Sequence, residues 1–143
     1  MDSPAVTPEN EQLPILVVED DHDTREVMKV LLEIEGYAVE TAADGAEALD
    51  KLRAGLTPCL IVLDLMMPHM DGFQFMMEKQ REPKLSAIPV IISSGFYDAK
   101  GSATTLGAEG YLQKPVEPQR LLHVVSSHQR PPDLRLVRGG KAK

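Results

Sequence analysis

Leu60-Ile61-Val62-Leu63-Asp64 decides how this chain is read: four consecutive apolar residues closed by an acid. A continuous apolar run of this length, set off by Pro58 and ending in a polar residue, is the signature of a strand buried on both faces. The pattern recurs in Ile15-Leu16-Val17-Val18-Glu19-Asp20. If the two strands lie parallel and adjacent, three carboxylates meet at one edge of a sheet. Their repulsion must then be relieved by a bound cation, by protonation or by a nearby lysine. Lys114, which follows the strand-like segment Gly110 to Gln113, is the candidate lysine.

Working outward, strands alternate with helical patterns. After the first strand, Val27, Val30, Leu31 and Ile34 recur at helical spacing until Gly36. A short strand near Ala38 to Ala42 leads through Asp44-Gly45 into a helix with Ala46, Leu49 and Leu52 on one face, ended by Gly55 and Pro58. Cys59 to Leu63 is the third strand. The turn from Pro68 to Gly72 opens a helix carrying Phe73, Met76 and Met77, stopped by Pro83, and Pro89 to Ser93 is a fourth strand. Between Tyr97 and Gly107, residues Gly101, Ser102, Thr104 and Thr105 depress helix propensity, which predicts a short or mobile fourth helix. Gly110 to Gln113 is the fifth strand, and Pro118 to His128 the last helix, with Leu121, Leu122 and Val125 inward. Five strands alternating with five helices imply an α/β fold, a doubly wound parallel sheet covered on both faces.

Composition narrows the function. At 143 residues and 43% hydrophobic, the chain makes about one domain with a real core. Residues 1–13 read as a flexible lead and residues 130–143 as a basic flexible tail. That tail carries Arg130, Arg135, Arg138, Lys141 and Lys143 against Asp133, a net of +4, which leaves −11 of the total −7 on residues 1–129. An acidic domain of this kind is not expected to bind nucleic acid directly. Cys59, the single cysteine, suits a reducing compartment, and no apolar stretch reaches the length of a membrane span. A cytoplasmic location without membrane insertion is the expectation. His22, His69, His123 and His128 share no metal-ligand spacing, and the run of methionines from Met66 to Met77 reads as adaptable packing.

In doubly wound sheets ligands bind beyond the carboxyl ends of the strands. Glu19, Asp20, Asp64, Ser94 and Lys114 all fall there. With Ile15 to Asp21, Leu63-Asp64-Leu65-Met66-Met67-Pro68-His69-Met70-Asp71-Gly72, the hydroxyl of Ser94, and Lys114-Pro115 after Tyr111, the sequence resembles the receiver domain of two-component response regulators from about Pro14 to about Gln129. The resemblance implies a flavodoxin-like (βα)5 fold with strand order 2-1-3-4-5 and a receiver domain over residues 14–129. It further implies that Asp64 accepts phosphate from a histidine kinase, that Glu19 and Asp20 help to hold Mg2+, that Ser94 and Lys114 contact the phosphoryl group, and that Tyr111 is the switch aromatic.

A carboxylate can attack phosphorus only if charge on the equatorial oxygens is neutralised. Mg2+ held by Asp20, Asp64 and the backbone carbonyl of Met66, with Glu19 acting through water, would satisfy that need. The implied product is a phosphorylation-activated signalling switch, stand-alone and not a turnover enzyme, that contacts an unidentified downstream protein. Two alternatives stand beside it: a relay intermediate that passes phosphate to a histidine phosphotransfer protein, and a metabolite phosphatase. The second is opposed by Met66, which occupies the position where haloacid-dehalogenase-like enzymes place a second aspartate. Two departures from the family bear on the switch. Ser94 to Lys114 spans 20 residues, two fewer than usual, and serine replaces the commoner threonine, so a looser coupling is expected. Bulky Met66 and Phe96, two residues beyond Asp64 and Ser94, are expected to hinder water and to lengthen the phosphoryl lifetime.

Overall fold

The computed structural model describes residues 13–67, 69–95 and 99–128. Its strands β1 (Ile15–Val18), β2 (Val39–Ala42), β3 (Leu60–Asp64), β4 (Val90–Ser94) and β5 (Gly110–Gln113) form one parallel sheet in the order β2-β1-β3-β4-β5. The three apolar runs take the three central places, where every residue is buried, while β2 and β5 at the edges are partly exposed. This is what continuous apolar runs demand, because only a strand flanked by strands and covered on both faces can bury every side chain. The order reverses between β1 and β3, so the two acid-tipped strands are neighbours, with Val18 opposite Leu63.

The helices are α1 (His22–Ile34), α2 (Gly45–Arg53), α3 (Gly72–Arg81), α4 (Ala99–Leu106) and α5 (Pro118–His128), with one further helical turn at Pro83–Ser86. One core cluster, including Leu16, Leu49, Leu63, Phe75 and Ile92, lies under α2, α3 and α4. The other, including Ile15, Leu32, Val62, Leu112 and Leu121, lies under α1 and α5. Alternate residues of each central strand serve opposite clusters, as the period of two requires. The short α4 that weak propensity predicts is present, with Ala103 buried.

The helical spacing expected in α1 is correct, but the buried face is not the one the spacing suggests. Met28 and Leu32 enter the core, whereas Val27, Val30 and Ile34 are at least half exposed. The helix carries two apolar stripes, and periodicity alone cannot choose between them. Likewise α3 buries Phe75 and Met76 and exposes Met77. Pro83 ends no helix directly. Glu82 is already extended, and Pro83 opens the extra turn, a position where its missing N–H costs nothing.

Two close approaches fix the loop that leaves Asp64. A Cβ on Gly72 would lie 2.8 Å from the Asp64 carbonyl oxygen and 2.7 Å from Leu65 Cα, backbone atoms with no freedom to yield. One on Gly45 would lie 2.7 Å from the Met70 carbonyl, which accepts a hydrogen bond from Gly45 N. His69 occupies the left-handed region with φ 66°, and its Nδ1 lies 3.1 Å from Asp44 Oδ2. Asp44 itself caps α2 by accepting from Glu47 N. The β3 to α3 loop is thus tied at both ends to packed elements. The predicted lead, apart from Leu13, the predicted tail, Pro68 and Phe96 lie outside the described residues.

Candidate functional site

Each acid reaches the site because a buried strand stops beneath it. Glu19 follows β1, where its N–H makes the last bond to the sheet, donating to the Ala42 carbonyl, and Asp64 is the final residue of β3. Both are 2% exposed, while Asp20, one residue further on, faces solvent. One carboxylate oxygen from each of Glu19, Asp20 and Asp64 lies within 4.8 Å of the other two. Lys114, just beyond β5 and joined to Pro115 by a cis peptide bond, places Nζ 3.0 Å from Glu19 Oε1 and 3.1 Å from Asp64 Oδ2. Met66 N donates to Asp64 Oδ1 at 3.1 Å, and Asp21 N donates to Glu19 Oε2 at 3.2 Å. Among the described residues, buried Asp64 Oδ2 has no aligned hydrogen-bond donor and is compensated by the ion pair with Lys114. Asp21 is the α1 cap, accepting from Thr24 N and Oγ1.

One ammonium does not neutralise this group. Burial, and next the Asp64 charge, push Glu19 up from 4.5 to about 7 against the opposing pull of Lys114. Burial likewise raises Asp64, with Lys114 again opposing. Burial alone would lower Lys114, but Glu19 and Asp64 outweigh it and the ammonium is stabilised. The folded protein therefore retains a proton near neutrality that the unfolded chain releases at lower pH. Stability from this source is complete below pH 4.5 and is lost as the pH rises through about 7. In EDTA, the wild-type thermal midpoint is expected to fall between about pH 5 and pH 8, and Glu19→Gln to flatten that slope. Parallel profiles for the two proteins would show that Glu19 is not the group.

The remaining candidates sit close by. Ser94 ends β4 fully buried, and its carbonyl accepts Lys114 N at 2.8 Å, which ties the hydroxyl-bearing residue directly to the lysine's backbone. Tyr111 pairs with Ile92, two residues before Ser94, and packs against the α2-α3-α4 side of the core. Strand alternation therefore puts Ser94 and Tyr111 on one face of the sheet. Met66 is 52% exposed beside Asp64. Gly95 has room: an added Cβ would make only an ordinary 3.8 Å contact with Lys114 Cβ. The sequence reading missed Arg25, whose guanidinium Nη1 reaches back from α1 to the carbonyl oxygens of Glu19, at 2.8 Å, and Asp20, at 3.4 Å. Side chain to backbone contacts of this kind have no sequence pattern.

The chain is similar to known proteins in sequence and in fold. The family described as the response regulator receiver domain matches residues 15–126. A 14.6 kDa protein from the sodA1 3' region of Leptolyngbya boryana is 38% identical over 126 residues, covering 85% of this chain and 95% of that one. The probable transcriptional regulator ycf27 of Porphyridium aerugineum is 39% identical over 75% of this chain, but only 44% of its own length is matched. Among solved structures, chemotaxis response regulator CheY4 of Vibrio cholerae superposes with a TM-score of 0.74 at 30% identity, covering 81% of this chain and 98% of that one. A CheY-like receiver domain from Methanospirillum hungatei gives 0.72 at 30% identity, covering 81% and 92%. Among the described residues, no helix is long and apolar enough to cross a membrane.

Proposed function

The chain belongs to the response regulator receiver domain family, and on that premise we propose that it is a phosphorylation-controlled switch whose acceptor is Asp64. The observation that carries this reading is the convergence of Glu19, Asp20 and Asp64 within 4.8 Å, with Lys114 bridging the two buried members. The donor is a phosphohistidine on a histidine kinase or histidine phosphotransfer protein. An Asp64 oxygen forms the new P–O bond as the P–N bond breaks. The electron pair stays on the departing imidazole, which is then reprotonated from solvent.

The donor set is all oxygen, incompletely neutralised and open on the Asp20 side, which suits a small hard cation. We assign it to Mg2+, with Asp20, Asp64 and the Met66 carbonyl as ligands and Glu19 acting through water. When bound, such an ion supplies charge neutralisation for the phosphoryl oxygens. Lys114, already held between two acids, turns toward the roughly two added negative charges, and Ser94 supplies a hydroxyl donor. Because Ser94 and Tyr111 share a face, inward movement of Ser94 opens space for the tyrosine ring. The surface of α4, β5 and α5 changes with it and is read by a downstream protein. The exposed Val27 and half-buried Leu31 border a groove of about 610 Å3 that runs to Lys114-Pro115, an apolar landing for a helix of the donor. With Met66 in place of a second acid, the protein is not a turnover enzyme.

The test is incubation with acetyl phosphate and Mg2+, followed by intact mass. One phosphoryl group is expected, lost when Asp64 is changed, and beryllofluoride should shift the amide spectrum around Ser94 and Tyr111. If Met66 and Phe96 shield the phosphoryl group, the adduct outlasts removal of the donor by minutes. Decay within seconds would remove the shielding role. Transfer from labelled Asp64 to a histidine phosphotransfer domain would mark the chain as a relay intermediate.

A further inference from the structure

Glu19 and Asp20 are consecutive, yet both must face one ion. In an extended segment successive side chains point to opposite sides. Convergence therefore requires the chain to leave the sheet with its peptide planes turned and held there. The ladder no longer does this, because the last sheet bond from this strand is made by Glu19 N. Arg25 takes over. From the second turn of α1, its Nη1 donates to the Glu19 carbonyl at 2.8 Å and leans on the Asp20 carbonyl at 3.4 Å. The peptide planes that set the directions of both acids are thereby tied to a helix whose own start is fixed, through the Asp21 cap on Thr24.

We infer that Arg25 is a positioning residue for the divalent-cation site, holding the Glu19 and Asp20 carbonyls so that the two side chains converge with Asp64. This rests on the switch reading given above and deepens it. Arg25 donates to backbone oxygens and not to the carboxylates, so it acts through the acids without occupying their ligand atoms. The side chain is half-buried, and one terminal guanidinium nitrogen, Nη1, reaches both carbonyls. An ammonium keeps the charge on a shorter side chain, and an amide keeps a donor but neither the charge nor the reach.

Calorimetric titration with MgCl2, and separately the broadening of amide signals by Mn2+, test the inference with no phosphoryl donor present. Supporting groups behind metal ligands commonly change affinity by tenfold or more, so Arg25→Ala is expected to bind Mg2+ about tenfold more weakly than wild type. Arg25→Lys should recover part of the loss, and Arg25→Gln less. The thermal midpoint in EDTA separates positioning from mere stability, because a structural role would lower the midpoint and leave the Mg2+ affinity of the folded protein unchanged. Affinity within about twofold of wild type in Arg25→Ala overturns the inference alone. If that variant does not fold, unchanged affinity in both Arg25→Lys and Arg25→Gln does the same. A wild type that binds no Mg2+, or binds it equally after Asp64→Asn, overturns the switch reading and this inference with it.

Discussion

Asp64→Asn is expected to abolish phosphoryl incorporation from acetyl phosphate, a loss of at least about a thousandfold, and at the same time to make the metal-free protein more stable. The two effects have one cause. In the proposed switch the carboxylate is the nucleophile, and an amide cannot form the acyl phosphate. That same carboxylate is one of two buried acids sharing a single ammonium, with its charge second only to burial in pushing Glu19 up to about 7. Replacing it with an isosteric amide leaves Lys114 and Glu19 as a one-to-one pair. Glu19 should then titrate at lower pH, and the fall of stability between about pH 5 and pH 8 should shrink. Thermal melts in EDTA and intact mass on the same preparation measure both. Incorporation that persists in Asp64→Asn would move the acceptor to Glu19 or Asp20, and a lower midpoint would mean that Lys114 gains more from Asp64 than Glu19 loses.

The site was legible in the sequence to the extent that buried strands end abruptly. Val18 to Glu19 and Leu63 to Asp64 are changes from apolar to charged that only a strand edge explains, and the observed register puts those strands side by side. Ser94 and Tyr111 came from the family resemblance, and their shared face follows only from the register of β4 on β5, with Ile92 opposite Tyr111. What was illegible lay where one residue type serves two purposes. In α1, Val27, Val30 and Ile34 have the same chemistry as Met28 and Leu32, and only packing against β2 and α5 decides which are buried. Arg25 was unreadable for another reason: an arginine in the first turns of a helix is ordinary, and its carbonyl partners leave no mark on the sequence. The His69 to Asp44 contact is similar, since it depends on a left-handed backbone at a residue that seldom adopts one.

Lys114→Met should separate the lysine's role in holding the fold from its role in the switch. Methionine preserves most of the apolar stem, whose Cβ lies beside Gly95, and removes the charge. Nζ lies 3.0 Å from Glu19 Oε1, 3.3 Å from Glu19 Oε2 and 3.1 Å from Asp64 Oδ2, so its loss leaves two acids, each 2% exposed, with no ion-pair partner among the described residues. Removing one partner of a buried pair costs about 3–5 kcal/mol when the remaining charge must stay. Here the acids can take up protons instead. Both already titrate above their ordinary range, and without the lysine both move further up. The folded variant then binds more protons than the unfolded chain across a wider span, so the penalty is small near pH 5 and approaches the full cost near pH 8. Urea melts at those two values, in EDTA, give the difference, and adding Mg2+ at the higher pH should restore part of it by supplying positive charge to the same oxygens. In the switch, the variant should still take phosphate from acetyl phosphate, slowly, because the acceptor remains. It should fail to move Ser94 and Tyr111, because the phosphoryl group no longer draws the residue whose backbone N–H is bonded to the Ser94 carbonyl. A destabilisation that does not change with pH would show that the acids are already neutral beside Lys114. A full Tyr111 response in the phosphorylated variant would place the coupling in Ser94 alone.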